Sequence, residues 1–239
     1  MKHCVHPSEL APSLMLGQEV ELGAELKLGG GVVIHSGTVV GDGCEIEDGV
    51  VLGKHPRLGR HSAARATKLE PLVVEAEAVV CTGAVVYAAA RIGERAIVGD
   101  QPQIRERTTI GAGSVVGRGT SVESDVTIGS GVRVQSNCFL APHTVVHDDA
   151  FVGPGVVTAN DNTMARHQKG LVMRGPTLGR ACRVGAGAVI APGVDVGEEA
   201  FVAAGAVVVS DVLPRAVVMG VPARHVRDVP SEDLLERWR

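Results

Sequence analysis

A strict period of six constrains this chain more than any other feature. Leu10, Leu16, Leu22, Leu28, Ile34, Val40, Ile46, Leu52 and Leu58 follow one another at that spacing. It resumes at Val74 and continues through Ile92, Ile104, Ile110, Ile128 and Leu140 to Val152; a third run extends from Leu178 to Val208. All 29 anchors are Leu, Ile or Val, and 15 are followed directly by Gly. An α-helix cannot use such a pattern, because at about 3.6 residues per turn positions six apart lie on opposite faces. A hairpin sheet would alternate every second position, with no need for Gly at fixed sixes. Short flat strands joined by tight turns fit, with each anchor pointing inward and Gly easing the turn.

The residue four after each anchor gives a second test. Leu14, Thr38, Cys44, Ala84, Thr108, Ser114, Cys138, Ala188 and Ala206 are small, branched or both, with Pro56 and Pro102 as exceptions. This places Cys44, Cys138 and Cys182 inside as small hydrophobes rather than reactive thiols. Aromatic residues make up only 2% of the chain against 45% hydrophobic. A core of bulky rings is therefore excluded, and thin repetitive layers are favoured. The five cysteines have spacings that match neither a disulfide framework nor a zinc motif. A net charge of −4 argues against nonspecific nucleic-acid binding, which needs a basic face. No run approaches the roughly 18 apolar residues of a membrane span, and the start has no signal-like apolar core. The expectation is a cytoplasmic protein with no membrane or nucleic-acid partner.

The periodic pattern assigns residues 1–228 to one solenoid with two excursions, near 59–73 and 158–177. A solenoid admits insertions only as loops leaving a face. Pro230-Ser231 then precedes EDLLERWR, which predicts a short C-terminal helix within 229–239.

Four segments carry a family resemblance: IRERTTIG (104–111), FVGPGVVTANDN (151–162), VGAGAVIAPGVDVG (184–197) and FVAAGAVVVSDVLPRAVVMGVPARHV (201–226). From about residue 92 to 227 the chain resembles the hexapeptide-repeat acyltransferases, and in particular those that N-acetylate nucleotide-linked amino sugars. The resemblance implies an all-β, left-handed parallel β-helix in which three hexads, each with one strand, make a coil. Twenty-nine hexads then give about ten coils, roughly 45 Å long at about 4.8 Å per strand. It also implies acetyl-CoA as cosubstrate, an amino-sugar acceptor and a homotrimer with active sites between subunits.

With three hexads per coil, columns of stacked residues can be read directly. Arg107, Asp125, His143 and Asp161 fall in one column, beside Glu106, Ser124, Pro142 and Asn160. The corresponding turn columns elsewhere are mostly Gly and amide. A carboxylate beside an imidazole orients it and raises its basicity, as a general base requires; a solvated polar ladder is the plainer alternative. The resemblance adds Asn160 beside the acyl-transfer centre, with Asp161 and His143 as partners that orient the amine or receive its proton. Asp125, Arg105 and Glu106 are candidate substrate contacts, although an Arg–Glu surface pair explains the last two equally well. The same resemblance places the CoA arm along Gly187, Ala188, Ala204 and Gly205, and a phosphate near Arg224. His35, His55, His61 and His147 read as surface histidines.

Several rivals share the repeat. A γ-type carbonic anhydrase needs three convergent histidines, and His143 and His147 have the wrong separation, so no metal is expected. A nucleotidyltransferase fusion would need a nucleotide-binding region before the repeat. A noncatalytic scaffold would need neither the NDN loop nor the GVPAR ending. Within the acyltransferases, acyl-carrier-protein-dependent enzymes and O-acetyltransferases remain alternatives. The latter are disfavoured by Asn160-Asp161 standing where such enzymes usually carry a histidine.

Overall fold

The computed structural model describes residues 6–7, 11, 13–59, 68–168 and 171–238. Leu10, His61 and most of the first excursion lie outside these residues, as does Cys4.

Nearly every strand consists of an outward-facing residue followed by an anchor. The anchors Ile104, Ile110, Val116, Val122 and Leu140 are fully buried. Three flat sheets result. The first runs from Met15–Leu16 to Val207–Val208, the second from Glu21–Leu22 to Asp195–Val196, and the third from Lys27–Leu28 to Ala216–Met219. Within each sheet these strands pair in parallel, and partners through the regular coils are three hexads apart, as in Ile92, Ile110, Ile128 and Val146. The molecule is an all-β parallel solenoid of about eleven turns. Aliphatic residues suit such strands because they fit a pleated surface and fill one thin continuous core.

The buried position after each turn is more than small. Thr108, Ser114 and Thr120 donate their hydroxyls to the carbonyls of Glu123, Gly129 and Gln135 on the next coil, at 2.8, 2.7 and 3.0 Å. Cys44 and Cys138 do the same through sulfur, to Glu75 at 3.0 Å and Gly153 at 3.2 Å. These cysteines therefore satisfy turn carbonyls as well as fill space. Burial pushes the Cys44 and Cys138 thiols up, and that of Cys182 to about 12.

The first excursion begins earlier than the anchor series implies. Strand Val51–Lys54 runs past the usual pair, and a register shift sets Lys54 opposite Tyr87. The chain thus leaves the prism before Leu58, which is half-buried and belongs to no strand. Leu72 and strand Val73–Val74 bring it back. The second excursion departs after Val157–Thr158 and returns at Thr177–Leu178. Both leave from the edge joining the first sheet to the second.

At the C-terminal end, Ala216–Met219 adds in parallel to Phe201–Val202, and Arg224–Asp228 then folds back antiparallel. This last strand covers the open edge of the third sheet. The expected terminal helix takes the form of two single 3-10 turns, Ser231–Asp233 and Leu235–Arg237. Leu234 between them is extended, and Pro230 supplies no side-chain cap. So short a segment cannot offset the cost of nucleating an α-helix. No helix among the described residues is long and apolar enough to cross a membrane.

Candidate functional site

The edge between the first and second sheets gathers most of the polar candidates. At each of its regular turns one residue adopts the left-handed region, and here these are Arg107, Asp125 and His143, with φ of 59°, 61° and 65°. Glycine is the comfortable residue at such a φ. Three bulky polar residues in succession therefore hold a disfavoured backbone that fixes where their side chains project.

Arg107 donates Nε and Nη2 to the two carboxylate oxygens of Asp125, at 2.6 and 2.8 Å. Burial by itself would raise the Asp125 pKa. The Arg107 hydrogen bond and charge outweigh it, with smaller help from Ser124 and His143, and hold the carboxyl below its ordinary value. His143 is exposed on the next rung and interacts with this carboxylate through charge alone. Both Asp125 oxygens are taken by Arg107, so the hydrogen-bonded pairing of imidazole and carboxylate that the column suggests is not formed.

One rung back, Glu106 is 1% exposed. Arg105 grips it through Nε at 2.8 Å and Nη2 at 3.1 Å. The Arg105 guanidinium also stands 3.6 Å from Glu123 and lies over the Tyr87 ring at 5.1 Å. Lys54 approaches the same ring at 5.5 Å. Arg105 and Glu106 thus form a half-buried structural pair in which Glu106 offers no open face. Neither Tyr87 nor Glu123 is a candidate on sequence pattern alone. Yet each stands one coil from Arg105, before and after it, so the three-hexad register is the signal that finds them.

The second excursion opens on Asn160 and Asp161. Asp161 does not extend the column as another left-handed turn. Its carboxylate caps its own loop, accepting from the Thr163 amide and hydroxyl at 2.7 and 2.6 Å and the Ala165 amide at 2.7 Å. These bonds, foremost the Thr163 hydroxyl, lower its pKa to about 2, and His167 at 3.9 Å adds to the effect. Asp161 is a loop-ordering anion and a weak base. What rests on the His143 backbone is Gly175, from the returning leg: a Cβ there would lie 2.4 Å from the Thr144 nitrogen and 2.5 Å from the His143 carbonyl carbon. Asn160 is half-exposed at the loop mouth, and its side chain bonds no described residue. Below it, the buried Thr158 hydroxyl accepts from the Ala141 amide at 2.7 Å and meets Thr144 at 3.1 Å, fixing the root of the loop.

The residues expected along CoA lie elsewhere. Gly187 and Gly205 occupy left-handed turns at the edge between the third and first sheets, and a Cβ on either would meet nothing within 4 Å. Ala204 is exposed beside them, whereas the Ala188 side chain is fully buried. Ala188 can therefore offer an outside ligand only its backbone. Arg224 is exposed on the closing strand and donates one N–H to the Ala223 carbonyl at 2.9 Å. Among the described residues one group, Glu47, Cys81 and Asp100, brings three possible ligand atoms within 4.8 Å. Glu47 already accepts from the Thr82 amide and hydroxyl, and burial followed by the charge of Glu47 pushes the Cys81 thiol up to about 11.

Two segments, 107–142 and 175–210, match the family described as bacterial transferase hexapeptide (six repeats). They bracket the second excursion. A search of the curated proteins finds no match. Among solved structures, a UDP-N-acetylglucosamine acyltransferase from Arabidopsis is 16% identical, with a TM-score of 0.54 over 95% of this chain and 76% of that one. The UDP-N-acetylglucosamine acyltransferase from Campylobacter jejuni is 15% identical, with a TM-score of 0.50 over 91% and 74%. These two establish likeness of fold. A GDP-perosamine N-acetyl transferase from Caulobacter crescentus, solved with CoA and GDP-perosamine, is 23% identical over 63% of this chain and 57% of that one. Its TM-score of 0.27 carries no geometric argument.

Proposed function

We propose that this hexapeptide-repeat chain is an acyltransferase that moves an acetyl group from acetyl-CoA to the amine of a nucleotide-linked sugar. The observation that carries the reading is the concentration of chemistry on one edge. His143, the Arg107–Asp125 pair and the Asn160 loop share it; the pair lies within the first segment of transferase repeat, and His143 and the loop lie between the two.

The amine attacks the thioester carbonyl, forming the C–N bond. The C–S bond then breaks and the sulfur leaves as the CoA thiolate, while the nitrogen sheds one proton. An unprotonated amine is already a good nucleophile, so the protein chiefly supplies position and stabilises the developing oxyanion. Asn160 suits the second task, since its amide has no competing partner among the described residues. His143, exposed beside the Asp125 charge, suits the removal of the proton. Asp161, committed to its loop, orders Asn160 rather than accepting that proton.

The open turns at Gly187 and Gly205 accommodate the pantetheine arm, and Arg224 is available to a phosphate. In one chain those turns and His143 sit on different edges, with the whole first sheet between them. A second copy laid against that sheet brings the two sets together. Its outer face is suited to this, with Phe139, Val157 and Val189 at 39%, 39% and 36% exposure. A cyclic homotrimer repeats the contact three times and leaves no set unmatched.

The test is release of thiol from acetyl-CoA against a panel of nucleotide-linked amino sugars, in the wild type and in Asn160→Ala and His143→Ala made separately. A fall in kcat/KM of about 100-fold or more is expected for each. Unchanged kcat/KM in both would remove the site from this edge. Failure of every amino sugar while hydroxyl acceptors react would move the reading to O-acetyl transfer.

A further inference from the structure

A groove of about 550 Å³ lies between the third sheet and the C-terminal tail, around the edge that joins the second sheet to the third. Arg133, Phe151 and Arg183 point into it from successive rungs, and Phe201 follows on the next. Rungs are about 4.8 Å apart, so Arg133 and Arg183 are anchored two rungs, roughly 10 Å, apart along the face, with Phe151 on the rung between them. Arg183 lies over the Phe201 ring at 5.3 Å, and its Nε is buried without a hydrogen-bond partner. Neither Arg133 nor Arg183 forms an ion pair among the described residues.

The carboxylates nearby are largely answered from their own side. Asp149 has Arg180 at 3.9 Å, and Glu199 accepts the Leu235 amide at 2.9 Å, which ties the tail to the prism. Only Asp233, on the tail, has neither cation nor amide donor among the described residues. Across the groove Trp238 is 76% exposed, with its indole N–H held by the Glu232 carbonyl at 3.2 Å. An exposed indole, an outward phenyl ring and two unanswered guanidinium groups around one cavity match a ligand with a planar ring and a compact anion.

We propose that this groove binds a nucleoside phosphate, its phosphate held by Arg133 and Arg183 and its base against Phe151 and Trp238. Arginine presents a planar fork that matches phosphate oxygens, and aromatic faces stack on bases of any sequence. The volume is that of an ordinary small-molecule site. The groove faces away from the edge bearing His143, so it is separate from the acyl-transfer centre and does not depend on that assignment. Either a free nucleotide or the nucleotide half of an acyl carrier supplies this chemistry.

Trp238 is the chain's only tryptophan, so its fluorescence reads the groove directly and without any activity. Titration of the full chain with AMP is expected to give a saturable change. Arg133→Gln and Arg183→Gln, each confirmed folded by its thermal melt, are expected to weaken binding about tenfold or more. Asp233→Asn is expected to tighten it. Absence of saturation at millimolar AMP, or wild-type affinity in both arginine variants, overturns the proposal. So does inorganic pyrophosphate binding as tightly as AMP, which would reduce the groove to a simple anion site. CoA titrated alongside AMP names the source: competition assigns the groove to the nucleotide half of the carrier, and binding of AMP without competition assigns it to a free nucleotide.

Discussion

Arg107 and Asp125, a full coil apart, meet through two parallel hydrogen bonds of 2.6 and 2.8 Å. Both side chains are about 30% exposed, so solvent screening limits the pair to about 1 kcal/mol. Arg107→Gln is therefore expected to lower Tm by about 2–4 °C for a chain of this size. Arg107→Lys should recover only part of the loss, because an ammonium cannot make the two-pronged contact. Equal melting temperatures for all three proteins would show that the pair contributes nothing to stability. Kinetically, Arg107 is a positioning residue: Arg107→Gln should shift the pH–rate profile of the transfer, which a purely structural loss would leave in place.

The anchors read from the sequence locate nearly every strand of the solenoid, because a fully buried aliphatic row leaves an unmistakable period. Leu58 shows where that logic ends. It keeps the period by coincidence, while the chain has already left at Lys54 because Val51–Lys54 pairs on toward Tyr87. That register shift leaves no mark on hydrophobicity. The ladder of Arg107, Asp125 and His143 is legible from the three-hexad register, but the burial of Glu106 is not. Glu106 is gripped by Arg105, which in turn lies over Tyr87, contacts between side chains rather than a spacing. The antiparallel return of Arg224–Asp228 is equally hidden, since the hexad has already ended there.

Asp161 gives the second excursion a defined acid response. Its folded pKa of about 2 lies below the ordinary value of 3.8. A depressed carboxyl favours the folded loop above the unfolded pKa, and that contribution is lost as pH falls through the folded one. Protease nicking of loop 159–176 should therefore be slow at pH 5 and accelerate as pH drops from about 4 toward about 2. Asp161→Asn should nick faster at pH 5 and change little over that interval. Parallel pH curves for the two proteins would show that the carboxylate does not order the loop.

Gly175 marks a close approach that admits no side chain. Its Cβ position lies 2.4 Å from the Thr144 nitrogen, so Gly175→Ala must push the returning leg away from the edge. The expected cost is about 1–3 kcal/mol, typical of an overpacked site, with a lower kcat/KM as His143 shifts. Gly113→Ala supplies the contrast: its Cβ would meet nothing within 4 Å, but its φ of 65° is unfavourable to alanine. That variant should lose about 1–2 kcal/mol from the backbone alone and keep its kcat/KM. Full activity in Gly175→Ala would mean that the returning leg does not set the position of His143.

If the first sheet is the face on which copies meet, a charge there should separate them. Phe139→Glu is expected to shift the mass in light scattering from trimer to monomer while the solenoid's circular dichroism persists. Transfer activity should fall with the loss of the trimer, because the open turns at Gly187 and Gly205 would no longer face a neighbour's His143. A monomeric wild type, or a variant that keeps its mass, would rule out this face as the contact.

Distance along this molecule comes in whole numbers. Each coil advances the prism by one strand spacing of about 4.8 Å, and Tyr87 stands three coils from the turn that carries His143. A ligand lying along that edge is therefore measured in integer steps, like an object against the teeth of a rack. Inserting or removing a coil would change the reach between two groups by one tooth and leave every anchor facing inward. A chain of this design can alter the length of what it accepts without altering the shape of any single turn.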